Sequence, residues 1–444
     1  MDPLAKMLRL QSSGALLAVC MAGVLSTGCA GIETAIVRYE SLVPEQLVIV
    51  LPEGRRESGA VERYAEAKRQ LGYSLSWIEF DLSLEPSQRL AAVRAGLPTT
   101  VDERRFVLIL ASPSELPMGP WSVEGLDGQV ESDLPLFFDS IDQDEVLTLE
   151  RWCEAGDIDF PWYVGRIPFE DEAVIEAALV ASTTYAERAN RLALLGSERF
   201  AIWGDSAWIM SRARHRFRDD WQVLTLGEDP PSDVRLGGGL ERARLELDAL
   251  AAIPAGALEG AESPEDLEFA LCWASLSPSL VYLNSHGTAG FGGLIGHYLL
   301  SAWKLEQLGI QAEAKGFAGD PSAPAILVSV ACQAGPPDSD LTRWLFERGW
   351  VAAMVGSTEL TAPVPLWPAV RAEIETASVL DSSLPIAMAM QLFRSRYLED
   401  ADDSFSFLLS GSVRADVAKN ILGMTLYGDP TLRLPGAPRG AASD

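Results

Sequence analysis

Short apolar runs alternate with amphipathic stretches along most of the chain, and each alternation predicts an element. Gln46 to Leu51 is a largely apolar run that closes on Pro52-Glu53-Gly54, which predicts a buried strand and a turn. Gly59 to Leu71 follows with Val61, Tyr64, Ala65, Lys68 and Leu71 at helical spacing, and Ser74 to Phe80 and Phe106 to Ala111 are two more strand-length runs. Strands alternating with helices predict a parallel sheet. From Ser112 to Phe160 the alternation stops: Pro, Gly and acids dominate, which predicts a long surface loop with one short strand at Leu134 to Phe138. Periodicity returns from Val174 to Leu194 as one long amphipathic helix, placed to bridge two halves. Beyond it, Arg199 to Trp203 and Trp221 to Leu226 predict strands, and Leu240 to Leu250 and Pro264 to Ala274 predict helices.

Two runs differ from the rest because each closes on a chemically loaded residue. Leu280-Val281-Tyr282-Leu283-Asn284-Ser285 delivers His286 and a glycine-rich loop, and Ala325-Ile326-Leu327-Val328-Ser329-Val330-Ala331 delivers Cys332. Between them His297 to Leu308 has the spacing of a crossover helix, so the two runs are expected to be neighbouring parallel strands. Parallel neighbours end on one sheet edge, where open α/β sheets bind ligands. After Cys332 come a helix from Asp340 to Arg348, a strand from Trp350 to Gly356, and helices near Trp367 to Ala377 and Pro385 to Arg396.

A thiol and an imidazole presented together are the minimal kit for covalent acyl transfer. The thiolate attacks a carbonyl, and the imidazole protonates the departing amine. Gly287, with no Cβ, lets a backbone N–H approach the reacting carbonyl, so the amides of Gly287 and Cys332 are candidate oxyanion donors. Singly, either residue fits an ordinary buried thiol or core histidine; their shared position at the ends of adjacent runs favours chemistry.

A run ending in His-Gly, followed by one ending in Ala-Cys whose cysteine lies 46 positions after the histidine, resembles the caspase–gingipain group of cysteine peptidases, where that interval is about 50. Ser132-Asp133-Leu134 and Val164-Gly165-Arg166-Ile167-Pro168 resemble signatures of the gingipain catalytic domain. Val351 to Thr358 is similar to its strand after the cysteine, and Leu426-Tyr427-Gly428-Asp429-Pro430-Thr431-Leu432 to its closing motif. The resemblance spans Ser132 to Leu434 and implies a peptidase acting on protein or peptide. It also implies an acid near the Val-Gly-Arg segment that orients the histidine, for which Asp159 is the nearest candidate. In arginine-specific gingipains the acid receiving the residue before the cleaved bond follows the Gly-Arg signature, a region held here by Glu170, Asp171 and Glu172. Those three also sit at a helix start, where negative charge is favoured whatever the function. Glu359, just past the strand after Cys332, is an alternative from sheet geometry.

With 444 residues, 48% of them hydrophobic, the chain is long enough for two α/β subdomains with mainly parallel sheets flanked by helices. The expected division is 1–29 targeting segment, 30–198 N-terminal subdomain, 199–436 catalytic subdomain and 437–444 tail. A formal net charge of −28 argues against nucleic acid as a partner. No cofactor is expected; Asp142-Gln143-Asp144-Glu145 and Asp157-Ile158-Asp159 offer carboxylates to a structural calcium ion, but match no EF-hand spacing. Alternatives to the endopeptidase are a transpeptidase of the same fold and an inactive binding protein.

Lys6 and Arg9, the apolar stretch Ala15 to Leu25 and the small residues before Cys29 have the order of an export signal, too short to cross a ~30 Å hydrocarbon core. The Thr27-Gly28-Cys29 ending resembles a bacterial lipoprotein box, implying lipidation of Cys29 and an exported, membrane-anchored protein. Setting aside Cys20, Cys29 and Cys332 leaves Cys153 and Cys272, and no Cys-x-x-Cys spacing suggests zinc. Cys29→Ser is expected to move the protein from the membrane fraction to the soluble fraction; wild-type protein recovered soluble with a free N-terminus would rule out the anchor.

Overall fold

A computed structural model describes residues 43–97, 104–122, 129–133, 162–188, 191–197, 221–226, 273, 277–284, 286–288, 291–295, 298–299, 323–330, 339–358, 384–394, 419 and 422–435. The apolar runs become strands: β1 (Gln46–Pro52), β2 (Ser74–Phe80), β3 (Arg105–Leu110), β4 (Gly119–Ser122), β5 (Gln129–Ser132), β6 (Trp162–Ile167), β7 (Leu192–Ser197) and β8 (Gln222–Leu226). They continue with β9 (Leu280–Asn284), β10 (His286–Thr288), β11 (Phe291–Ile295), β12 (Tyr298–Leu299), β13 (Ala325–Val330), β14 (Val351–Ser357) and β15 (Met424–Gly428). Ten of these form one sheet in the order β2-β1-β3-β6-β15-β14-β13-β9-β7-β8. Neighbours are parallel everywhere except at β14–β15.

That exception divides the sheet into two opposed runs. β7, β8, β9, β13 and β14 end on the edge at which β1, β2, β3, β6 and β15 begin. We call it the histidine edge, because β9 leads there to His286; the first half of the chain delivers its strand ends to the opposite edge.

Burial explains the uninterrupted apolar runs. β1 is buried at every position but Gln46, and β3 and β14 are buried throughout, as strands covered on both faces must be. Helix Gly59–Gln70 buries Val61, Tyr64, Ala65 and Lys68, and helix Glu172–Ala186 buries Val174, Ile175, Ala178, Leu179 and Tyr185. Helix Glu172–Ala186 spans both halves: Glu176 pairs with Arg63 of the first, and the Tyr185 hydroxyl donates to Ser279 O of the second at 3.1 Å. Among the described residues no helix is long and apolar enough to cross a membrane.

Three expectations change. The helix expected to run to Leu194 stops at Ala186, and Leu192–Ser197 is β7, paired with β9. A four-residue apolar run satisfies a helix period as readily as a strand, and only the sheet partner decides. Where the crossover helix is expected to begin, from His297, the structure has strand: Tyr298–Leu299 pairs with β11 and closes a three-stranded meander β10-β11-β12, and the rest of that span lies outside the described residues. Within the expected loop after Ser112, β4 and β5 form an antiparallel hairpin. The strand expected at Leu134 to Phe138 lies outside the described residues.

The two halves meet at β6 and β15, and the seam is tight. A Cβ on Gly165 would fall inside contact distance of Gly428 O. A Cβ on Gly428, whose φ is 109°, would stand 2.5 Å from Ala352 O. Two buried ion pairs flank the glycines. Arg166, fully buried, donates from Nε and Nη2 to Asp133 at 2.7 and 2.5 Å and from Nη1 to the carbonyls of Ala111 and Leu116. Lys68 Nζ lies 2.5 Å from Asp429 Oδ2 and donates to Thr431 Oγ1, which donates to Asp429 Oδ1. The Tyr64 phenol beside them is pushed well above its ordinary range by burial first and by Asp429 second.

Removing one partner leaves a buried charge alone, a loss of about 3–5 kcal/mol. Gly428→Ala adds left-handed strain of about 1–3 kcal/mol to a backbone overlap. In denaturant unfolding, Lys68→Met and Gly428→Ala are each expected to cost at least as much as a core truncation such as Leu108→Ala, about 2–5 kcal/mol. A loss under ~1 kcal/mol in either would show that the seam tolerates what its geometry forbids.

Candidate functional site

β9 and β13 are hydrogen-bonded parallel neighbours, with Leu280 opposite Ile326 and Asn284 opposite Val330. Both strands thus end at one level, and each is followed two residues later by a chemically loaded position: His286 after Asn284, Cys332 after Val330. The core behind them is closed, since Val281, Tyr282, Leu327 and Val328 are each at most 2% exposed. The backbone of His286–Thr288 is itself a strand, with His286 opposite Leu294 and Thr288 opposite Phe291. The register slips between those pairs, so Gly287 stands at the irregularity, where a glycine eases the backbone. Cys332 lies outside the described residues. The described residues resume at Ser339, and helix Asp340–Glu347 precedes β14.

The acids expected to serve the site separate by edge. Glu170, Asp171 and Glu172 follow the end of β6 and therefore lie on the opposite edge from the ends of β9 and β13. Each is occupied there. Glu170 Oε1 accepts from the hydroxyls of Ser114 and Ser112, and those bonds hold its carboxyl below its ordinary range. Asp171 caps helix Glu172–Ala186 by accepting from Ala173 N at 3.0 Å, and pairs with Arg343 at 2.9 Å. Glu172 accepts from Arg55 Nε at 2.8 Å, while Glu115 takes the other face of the same guanidinium. Each of the three thus has a partner on that edge. Asp159 and Glu359 lie outside the described residues. Their flanking strands, β6 beginning at Trp162 and β14 ending at Ser357, reach the histidine edge.

The family-like motifs have a physical role that spacing does not show. Ser132-Asp133 and Val164-Gly165-Arg166 supply the two ends of one buried ion pair, and Gly428-Asp429-Pro430-Thr431 supplies a tight glycine and the acid of another. The Lys68–Asp429 pair joins the halves, the Arg166–Asp133 pair lies within the first half beside that seam, and both stand apart from the strand ends that lead to His286 and Cys332.

Sequence reading passed over two groups on the histidine edge. Thr358 Oγ1 donates to the backbone carbonyl of Glu131 at 3.3 Å, which seats the β4–β5 hairpin beside the end of β14. Arg394, on a buried helix, donates to Met424 O at the start of β15. Arg394 belongs to no motif, and Thr358 only closes the Val351 to Thr358 segment; tertiary placement alone marks these contacts. Among the described residues no cluster of His, Cys, Asp and Glu is arranged to hold a metal ion, and the acids expected to attract calcium, like Cys29, Cys153 and Cys272, lie outside those residues.

No family model matches the chain, and no curated protein matches it. Solved structures do. The complex of Porphyromonas gingivalis RgpB pro- and mature domains matches with a TM-score of 0.55 and 11% identity over 88% of this chain and 79% of that one. The Arg-specific cysteine proteinase gingipain R (RGPB) matches with a TM-score of 0.53 and 11% identity over 88% and 78%. The mostly parallel ten-stranded sheet flanked by helices is the gingipain-like, caspase-type α/β fold.

Proposed function

We propose that the chain is a cysteine endopeptidase working through Cys332 and His286. What supports the reading most is the parallel pairing of β9 with β13, which ends both strands at one level two residues before His286 and Cys332. The gingipain-like fold is consistent with a protein or peptide substrate.

In this reading the Cys332 thiolate attacks the scissile carbonyl carbon, and its oxygen takes the negative charge of the tetrahedral intermediate. The amides of Gly287 and Cys332 hold that oxygen. Collapse breaks the C–N bond, and the leaving nitrogen takes a proton from the His286 imidazolium. A water molecule then gives a proton to the neutral imidazole, attacks the thioester and returns the thiolate. Asp159 is assigned to orienting His286. Of the acids expected to meet a basic substrate residue, we assign Glu359 to that role, because it follows the end of β14 on the histidine edge. Export and lipidation at Cys29 would put this chemistry outside the cytoplasm.

Cys332→Ala and His286→Ala are each expected to lower peptide turnover by about 10³-fold or more while leaving the unfolding midpoint near wild type. His286→Ala retaining near-full turnover would end the dyad assignment. Gln or Asn at Glu170, Asp171 or Glu172 is expected to leave turnover near wild type and to shift stability by less than about 1 kcal/mol, since the Asp171–Arg343 pair and the Glu172 side chain are exposed and Gln keeps an acceptor for the serine hydroxyls at Glu170.

A further inference from the structure

We infer that Arg394 is the floor of a subsite for the carboxylate of an acidic peptide residue bound at the histidine edge. The peptide identity of the ligand rests on the peptidase reading; the existence of the site rests on geometry.

Residues 386–394 form a helix buried along its whole length. Its first amides, from Ile386 and Ala387, donate to the carbonyls of Leu432 and Pro430, just beyond the end of β15. It therefore starts at the opposite edge and runs to the histidine edge, where Arg394 donates through Nη2 to Met424 O. Met424 is paired with Ser357, the last residue of β14, and β14 is the parallel neighbour of β13. Arg394 is thus delivered beside the strand ends that lead to Cys332.

Its environment is that of a cation waiting for an anion. Arg394 is 6% exposed, and its Nε is buried without a hydrogen-bond partner. Arg166 and Lys68, buried as deeply, face Asp133 and Asp429 respectively. Among the described residues no carboxylate forms an ion pair with Arg394. Burial pulls its guanidinium down to about 9, with no acid opposing the shift. The one carbonyl it donates to supplies partial negative charge only. A planar guanidinium with one edge unspent matches a carboxylate in two-point geometry, which an amide of the same shape cannot reproduce. A peptide crossing the histidine edge would bring such a group within reach of it.

The test uses the full chain carrying Cys332→Ala, so that binding is read without turnover. N-acetyl-aspartate amide at saturating millimolar concentration is expected to raise the melting temperature by ~2 °C or more, and N-acetyl-asparagine amide to leave it unchanged. Adding Arg394→Met should abolish that response and, in buffer alone, should not lower the melting temperature, because it deletes a cation without a counterion. Arg394→Lys, which keeps the charge without the fork, should retain a weakened response. The proposal is overturned if aspartate and asparagine amides act alike, or if Arg394→Met keeps the response. It is equally overturned if that variant melts well below its parent, which would mean that the counterion comes from the chain itself. With Cys332 intact, cleavage of a peptide library should be enriched about tenfold for Asp or Glu at one position near the cut and lose that enrichment in Arg394→Met. If the aspartate response stands but no peptide is cleaved, the subsite survives and the peptidase reading falls.

Discussion

The architecture depends on the burial of two opposite-charge pairs where β6 meets β15. A lone guanidinium or ammonium in that interior would cost several kcal/mol, so Arg166 and Lys68 are tolerable only with Asp133 and Asp429 in place. The Lys68–Asp429 pair ties a helix of the first half to the segment after β15, and the Arg166–Asp133 pair ties β6 to the segment after β5. Hydrophobic contact alone is non-directional and would allow the two sheets to slide. Bidentate geometry at Arg166, together with glycines too tight to accept a Cβ at Gly165 and Gly428, fixes one register.

Because β15 is parallel to β6 and antiparallel to β14, that register also sets the two halves head to tail. Each half has a sheet edge where strand ends and loops gather, and the two edges face apart. On one, the clasp of Arg55 with Glu115 and Glu172 and the bonds of Glu170 with Ser112 and Ser114 use up the polar groups. On the other, β9 and β13 end level, and a buried arginine stands without an acid among the described residues. The division of labour between a bracing half and a reactive half follows from which side chains are already satisfied.

Much of this was legible in the residue pattern, for a reason that also sets its limit. β1, β2, β3, β9, β13 and β14 are strand-length runs, most of them rich in Val, Ile and Leu, and burial on two faces makes such runs conspicuous. β7 was not distinguishable from the helix before it, because Leu192-Ala193-Leu194-Leu195 suits both periods. His286 and Cys332 stood out by residue type and by ending adjacent runs, whereas the separation of Glu170, Asp171 and Glu172 from them depends on strand direction, which no local pattern encodes. Arg394 reads in sequence as an ordinary basic residue closing a helix, where cations are common. Its burial is a property of the assembled halves.

The position of β15 also bears on how the molecule reaches its native state. It sits in the middle of the sheet yet is the last of the described strands along the chain, and the Lys68 to Thr431 bond beside it closes a loop of 363 residues. Contacts of such range come late in folding, after the entropy of the intervening chain has been given up. Until β15 arrives, β6 and β14 each present an open edge of unpaired amides and carbonyls beside an apolar face, which is a template for pairing with another copy. The strand that unites the two halves is therefore also the step at which aggregation competes with folding, and the rate of that closure sets how long the exposed edges last.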